Sequence, residues 1–371
     1  MSIYVVITII ALIASMVCGM LTIPVVLDFC KRKGLYDMPN LRKVHKRAIP
    51  RLGGVVFLPS VFLGCVIAFL MAQWQGMTTI QLSLWTYYFL LGTAAIYITG
   101  LIDDIVGLNA LNKLAVQIFA AAAFPLSGLC LNNLYGIFGI QFMPWWIGAP
   151  LTIGMVVFIS NAINLIDGID GLAGSLTILA LTGFLFSFAQ LGMWYFVIMI
   201  AAMIGVILSY LYYNMLGDAD KNRKIFMGDT GSLSIGFILA FLCLKLTVTI
   251  PSSSIEFSDR NLLTAFSLLI IPILDSLRVA AVRIWHRRSP ILPDKNHIHH
   301  KLLRAGLTHH QTLLVILTQA LAFCLANYLM RQLTNTTVVI LADIAIYALS
   351  HQLLNRRIRQ RGEQPTLFPN A

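Results

Sequence analysis

Asp103 and Asp104 stand side by side at the end of an apolar run, in Gly100-Leu-Ile-Asp103-Asp104-Ile-Val-Gly107. Carboxylates in such a place are costly unless a cation answers them. Lys113, one short loop later, is the candidate partner or a phosphate contact. Adjacent side chains on a helix point about 100° apart, so the pair can serve different partners. A second cluster, Asn161-Ala-Ile-Asn164-Leu-Ile-Asp167-Gly168-Ile-Asp170-Gly171-Leu172, repeats an amide or carboxylate every third residue. Helical spacing sets those groups along one side, and the two Asp-Gly steps break the turn. Such oxygen donors suit hard Mg2+, with phosphate oxygens and water completing its shell. A third cluster, Phe226-Met-Gly228-Asp229-Thr-Gly231-Ser-Leu233, runs straight into an apolar helix. Asp229 reads there either as an N-cap or as part of a phosphate site that the glycines leave open.

Two basic stretches complete the set. The first holds Asp37, Lys46 and Arg51 and closes on Gly53-Gly54 at a helix start. Glycine backbone and a helix N-terminus both favour an anion, although an ordinary basic loop has the same composition. The second carries Asp275, Arg278 and Arg283, then Asp294-Lys-Asn-His297-Ile-His299-His300-Lys301. Three histidines within four residues are spaced for zinc, but no cysteine accompanies them. Their Arg and Lys neighbours suit anionic ligands better.

The elements that must position these groups are membrane helices. Charged residues are 11% of the 371-residue chain and apolar ones 58%, against about 25% charged in soluble domains. Mean hydropathy is +0.82. Too few polar side chains exist to coat a globule of this size, so lipid must cover the rest. Runs long enough for a span of about 20 residues fall near 3–29, 52–73, 82–101, 112–131, 146–162, 171–190, 193–213, 232–250, 262–284, 312–330 and 336–354. The predicted fold is therefore an all-α polytopic membrane protein with about eleven transmembrane helices, ten if the last pair is miscounted. Residues 1–371 read as one integral membrane domain, with active-site loops near 30–51, 102–113, 161–174, 214–232 and 285–311. Of 26 Lys and Arg, only Lys245, Arg260 and Arg331 lie in or near the opposite loops. The positive-inside rule then puts the clusters in the cytoplasm, the N-terminus outside and the C-terminus inside. The net charge of +11 follows from that bias, and it would also attract anionic head groups. Six scattered cysteines, none in a CxxC pair, read as small packing residues. Every acidic or histidine-rich cluster falls at a helix end on the same side, although hydropathy and Lys/Arg alone set the topology.

In this order the clusters resemble one family, the polyprenyl-phosphate N-acetylhexosamine-1-phosphate transferases, over residues 37–304. The aspartate pair, the Asn-x-x-Asn-x-x-Asp-Gly-x-Asp-Gly-Leu run and Gly-Asp-x-Gly-Ser-Leu carry the likeness. The resemblance implies transfer of a sugar 1-phosphate from a UDP-amino sugar to a polyprenyl phosphate, with release of UMP. It implies Mg2+, with Mn2+ able to stand in, held by Asp229 and Asn164. It puts Asp103, Asp104 and Lys113 at the reacting phosphates, and His297, His299 and His300 on the pyrophosphate and sugar side. Lys46 would contact the nucleotide, with Asp167, Gly168 and Asp170 around uridine. Arg51, Asn161 and Arg283 join them as substrate contacts. His-Ile-His-His preceded by Asp294-Lys295 is similar to the bacterial branch that uses UDP-N-acetylglucosamine and undecaprenyl phosphate in the inner membrane. That branch begins O-antigen, common-antigen or teichoic-acid linkage synthesis. No nucleic acid is implied, and a homodimer stays open. Another UDP-amino sugar would serve the same chemistry. An ion-coupled transporter is the rival of another class, but such carboxylates sit near the midplane at inverted repeats, and no repeat is visible here.

Overall fold

The computed structural model describes residues 3–37, 48–76, 84–221, 223–248, 255–289 and 294–367, the side chains of 255–258 excepted. Its helices are α1 (Ile3–Lys33), α2 (Phe57–Trp74), α3 (Leu84–Val106), α4 (Ala110–Leu126), α5 (Trp145–Ile166), α6 (Leu172–Gln190) and α7 (Trp194–Leu216). They continue with α8 (Gly228–Val248), α9 (Ile255–Leu268), α10 (Ile270–Trp285), α11 (Ile298–Arg304), α12 (His309–Met330) and α13 (Thr336–Gln360). Among the described residues nine helices are long and apolar enough to cross a membrane, or ten if α9 and α10 count as one span. The chain is a multi-pass, all-α membrane protein.

Two of the eleven expected runs depart from a simple crossing. Helix α4 has 17 residues, about 26 Å of rise against a hydrocarbon layer of about 30 Å. The run at 262–284 is two helices bent by 72°. Pro272 has no N–H for the Leu268 carbonyl and its ring crowds that carbonyl, so the helix breaks at Leu269. The loop at 132–145 also holds a hairpin, β3 (Asn133–Ile137) with β4 (Ile140–Phe142), preceded in the chain by the pair β1 (Tyr36–Asp37) and β2 (Ile49–Pro50). The antiparallel pairing of Tyr36 with Pro50 returns the chain to the cavity end of the bundle.

Helix α8 is the axis of the bundle. Its apolar window is 94% buried, whereas those of α1 and α13 are 28% and 22% buried and face lipid. It packs against α3 and α5, where Ser160 Oγ donates to the Leu233 carbonyl at 3.0 Å. Small residues that let backbones approach, and hydroxyls that cross between helices, are the glue available inside a membrane. The same device joins α1 to α7: Ser15 Oγ donates to the Ala202 carbonyl at 2.6 Å and Ser209 Oγ to the Met16 carbonyl at 2.7 Å.

The start of α8 is fixed from three sides. Gly53 and Gly54 donate to the carbonyls of Phe226 and Met227 at 2.9 and 2.8 Å. A Cβ on Gly54 would lie 2.1 Å from the Gly231 nitrogen and 2.8 Å from the Met227 carbonyl oxygen. Both neighbours are backbone and cannot rotate away. Gly54→Ala is therefore expected to destabilise the fold by about 3 kcal/mol or more. Size-exclusion profiles and thermal midpoints in detergent check this, and a wild-type midpoint would remove the close contact from the account.

Candidate active site

The C-terminal end of α3, the start of α4, the C-terminal ends of α5 and α7 and the start of α8 meet at one end of the bundle. An α8 N-terminus has unbonded N–H groups, and Asp104 supplies their acceptor. Its Oδ1 accepts from Asp229 N at 2.9 Å, and its Oδ2 from Thr230 N at 2.9 Å and Thr230 Oγ1 at 2.6 Å. Asp104 is buried, 3% exposed. Asp103 points elsewhere, as adjacent helical positions must: it accepts from Leu108 N at 2.6 Å and pairs with Lys113 Nζ at 3.1 Å.

Lys113 also reaches Asp229 Oδ2 at 2.9 Å, so one ammonium bridges two carboxylates from different helices. The other oxygen of Asp229 accepts from Asn164 Nδ2 at 3.1 Å, and Asn164 also donates to Ser232 Oγ at 2.8 Å. Asp229 sits in the first turn of α8, where the helix dipole favours negative charge. Asn161, one turn before Asn164, instead pairs with Gln117 at 2.6 Å, away from the cavity.

These groups border a cavity of about 520 Å3. Its described lining includes six carboxylates, from Asp37, Asp103, Asp104, Asp167, Asp170 and Asp229, but only two full cations, Arg51 and Lys224. Lys224 Nζ pairs with Asp170 at 2.6 Å. Gly168 and His300 also face the cavity, with His309 at its edge. Beneath the 167–170 turn lies His299, 1% exposed. Its Nε2 would be 2.1 Å from any Cβ on Gly168, so glycine there is what admits the ring.

Burial, then the neighbouring His300 and His297, hold the His299 imidazole well below its usual pKa. Burial also takes His300 down to about 4 and Lys301 to about 7. His299 and His300 are therefore neutral near pH 7. His297 donates from Nδ1 to Asp275 Oδ2 at 2.8 Å. Arg283 pairs with Asp294 at 2.7 Å. Of the expected substrate contacts, Arg283, Asn161, His297 and His299 are thus engaged with protein partners or buried under the turn and do not line the cavity. Lys46 lies outside the described residues. Among the described residues no three His, Cys, Asp or Glu side chains stand together as a ready metal cage.

The sequence profile of glycosyl transferase family 4 matches residues 86–247, the stretch that supplies Asp103, Lys113, Asn164 and Asp229. The chain is similar to the probable undecaprenyl-phosphate N-acetylglucosaminyl 1-phosphate transferase of Bacillus subtilis, 30% identical over 88% of this chain and 86% of that one. It is 34% identical to the decaprenyl-phosphate N-acetylglucosaminephosphotransferase of Mycobacterium tuberculosis strain H37Rv, over 85% of this chain and 81% of that one. With the undecaprenyl-phosphate alpha-N-acetylglucosaminyl 1-phosphate transferase of Escherichia coli K12 it shares 33% identity over 77% and 74%. The chain belongs to this family. It is a phosphoglycosyl transferase of the glycosyl transferase 4 type.

Four residues at or behind the cavity, Lys224, Ser232, Thr230 and Asn214, had no role assigned from the sequence. Lys224 belongs to a run of charges between two apolar segments, and nothing local ties it to Asp170, 54 positions away. Ser232 and Thr230 read as ordinary helix-start residues until Asn164 and Asp104 are seen to bind them. Asn214 holds the turn from behind, accepting from Gly171 N at 2.7 Å and donating to the Ile225 carbonyl at 2.9 Å.

Asp167 has a measurable consequence for the transferase. Burial first, then the fields of Asp229, Asp170 and Asp104, push its carboxyl up to about 7. The folded protein therefore keeps a proton that the unfolded chain releases near pH 4. Where the native state binds more protons, stability falls as pH rises. The Asp167 contribution is fully present below about pH 4 and lost as pH passes about 7. Asp167→Asn is expected to flatten the decline in thermal midpoint between about pH 5 and 7.5. Parallel slopes for the two proteins would show that Asp167 ionises normally in the fold.

Proposed function

We propose that this enzyme transfers N-acetylglucosamine 1-phosphate from UDP-N-acetylglucosamine to undecaprenyl phosphate and releases UMP. The single observation that carries the reading is the cavity lined by Asp103, Asn164 and Asp229, the two carboxylates joined by Lys113, at one end of a bundle of apolar helices. The names of the Bacillus and Escherichia relatives give that sugar and that acceptor. The excess of Lys and Arg beside the cavity supports a cytoplasmic site in the bacterial inner membrane, on a chain of eleven crossings with its N-terminus outside. A polyprenyl phosphate would keep its phosphate at that interface while its tail lies along the helices.

In the reaction, an oxygen of the lipid phosphate forms a bond to the sugar-bearing phosphorus of the donor. The bond from that phosphorus to UMP breaks, and the electron pair leaves with UMP. A phosphate monoester is already ionised near neutrality, so positioning and charge neutralisation carry most of the catalysis. In the described lining carboxylates outnumber full cations, so it holds little positive charge to offset two anionic substrates. Its donor set fits Mg2+, which takes one or two protein carboxylates and completes its shell with phosphate oxygens and water. Asp229 and Asn164 would hold the ion, with Mn2+ as a substitute. When bound it neutralises charge on the donor phosphates and on the leaving UMP.

The chain's own groups do the rest. Lys113 holds Asp103 and Asp229 at fixed positions and screens them from each other. Asp104 locks the first turn of α8, and so Asp229, in place before substrate arrives. Such preorganisation spares the transition state the cost of rearranging dipoles. Lys224, Asp170 and the 167–168 turn also line the cavity and are assigned to the nucleotide. Asp103, which lines the cavity while held by Lys113 and Leu108 N, is assigned to orient the acceptor phosphate.

Mass spectrometry of the lipid product tests the assignment. Purified protein given UDP-N-acetylglucosamine and undecaprenyl phosphate is expected to form the lipid diphosphate-sugar. Faster transfer of another amino sugar, offered in parallel, would reassign the donor. Exchange of labelled UMP into the donor without lipid would replace direct attack with a covalent enzyme intermediate.

A further inference from the structure

After α13 the chain turns back onto the histidine segment. Asn296, 1% exposed, donates from Nδ2 to the Leu367 carbonyl at 2.9 Å, and its Oδ1 accepts from Leu367 N at 2.8 Å. This two-point pairing copies one rung of a β-ladder with a side chain in place of a strand. At the far end of the segment, Arg304 donates to the Gln364 carbonyl at 2.8 Å and to the Lys295 carbonyl at 2.9 Å. The tail is thus tied to both ends of the stretch that contains His297, His299 and His300. From the opposite side Asp275 accepts from His297 Nδ1 and from Ile298 N. The segment is clamped between α10 and the C-terminal tail.

We propose that Gln364–Leu367 is a positioning strap, and that Asn296 is the positioning residue through which it sets the histidine segment against the cavity. The inference rests on the transferase reading for its catalytic half only. An amide is the side chain that this rung demands, because it donates and accepts at once. Aspartate would face the Leu367 carbonyl with a second acceptor, and a chain ending at Glu363 would strand a buried amide. His300 borders the cavity and His299 supports the 167–168 turn, so a shift of the segment reaches the reacting groups directly. Misplacement by about 1 Å at such a site can slow turnover about 100-fold.

Two variants test the strap, a chain ending at Glu363 and full-length Asn296→Asp, both in detergent. Hydrogen exchange of the amides in 294–304 is expected to quicken about tenfold in each, because the local opening loses its latch. kcat is expected to fall about tenfold to 100-fold, with KM for UDP-N-acetylglucosamine within about threefold of wild type. Adding Asn296→Asp to the shortened chain should cost little more than the shortening alone, since the shortening has already removed the Leu367 rung together with the Arg304 tie to Gln364. Unchanged exchange would overturn the strap. So would loosened exchange with wild-type kcat, or losses that add. If wild-type protein turned over no donor while exchange quickened as expected, the transferase reading would fall and the mechanical clamp would stand.

Discussion

Asp229→Asn is expected to lower turnover by about 10²–10³-fold while leaving a folded, monodisperse protein. The substitution keeps the shape of the side chain and removes its charge. In the native arrangement one carboxylate oxygen faces Lys113 and the other faces Asn164. An amide can still meet Asn164, but it turns an uncharged group toward Lys113, which then settles on Asp103 alone. The first turn of α8 also loses a charge its dipole favours, a loss of at most about 1 kcal/mol at a partly exposed site. Stability should therefore change little while chemistry fails. The Mg2+ concentration for half-maximal rate should rise in the same variant, because its harder oxygen ligand has gone. Wild-type rates across a magnesium titration would remove Asp229 from the centre of the site.

Asp104→Ala should fail differently. Its carboxylate is the acceptor for two backbone N–H groups and one hydroxyl at the start of α8, all within 3 Å. Each buried donor left without an acceptor costs about 1–3 kcal/mol, so the loss is comparable with the about 5–15 kcal/mol that hold a whole domain together. Asp104→Asn should fare nearly as badly, because its NH2 would meet a donor. Asp103→Ala, by contrast, loses one contact to Leu108 N and one to Lys113 and is expected to fold with reduced turnover. Thermal midpoints of the three variants separate the roles. Equal midpoints for the Asp104 and Asp103 variants would contradict the locking role of Asp104.

The vicinal pair shows why the sequence told part of this and no more. That Asp103 and Asp104 must serve different partners follows from helical geometry, and so does the choice of Lys113 as a neighbour of one of them. That Asp104 grips α8 does not, because Asp229 and Thr230 are 125 and 126 positions away. Local pattern carries residue type and direction, whereas pairing across helices is fixed only when the bundle packs. The pairing of Lys224 with Asp170 was hidden for the same reason. Asn161 and Asn164 share one helix face, yet one turn of distance along α5 puts Asn164 on Asp229 and Asn161 on Gln117. The histidines look alike on paper, but burial separates His300 at the cavity from His299 beneath Gly168 and His297 on Asp275.

The apolar runs were legible because lipid tolerates only long, hydrogen-bonded helices. The bend at Leu269 was not, because hydropathy is blind to it and Pro272 is read only as a residue that membrane helices often accommodate. The short α4 was overextended for a related reason. Leu129–Leu131 remain apolar after the helix has ended at Leu126, so composition continues where the hydrogen-bond ladder stops.

The most direct test of the central claim is UMP release by the purified protein, given UDP-N-acetylglucosamine, undecaprenyl phosphate and Mg2+. Omission of lipid and addition of EDTA serve as controls. Release that requires both lipid and metal is the result expected of a metal-assisted transfer to a polyprenyl phosphate. Well-folded protein that releases no UMP, or releases it equally without lipid, would contradict that account.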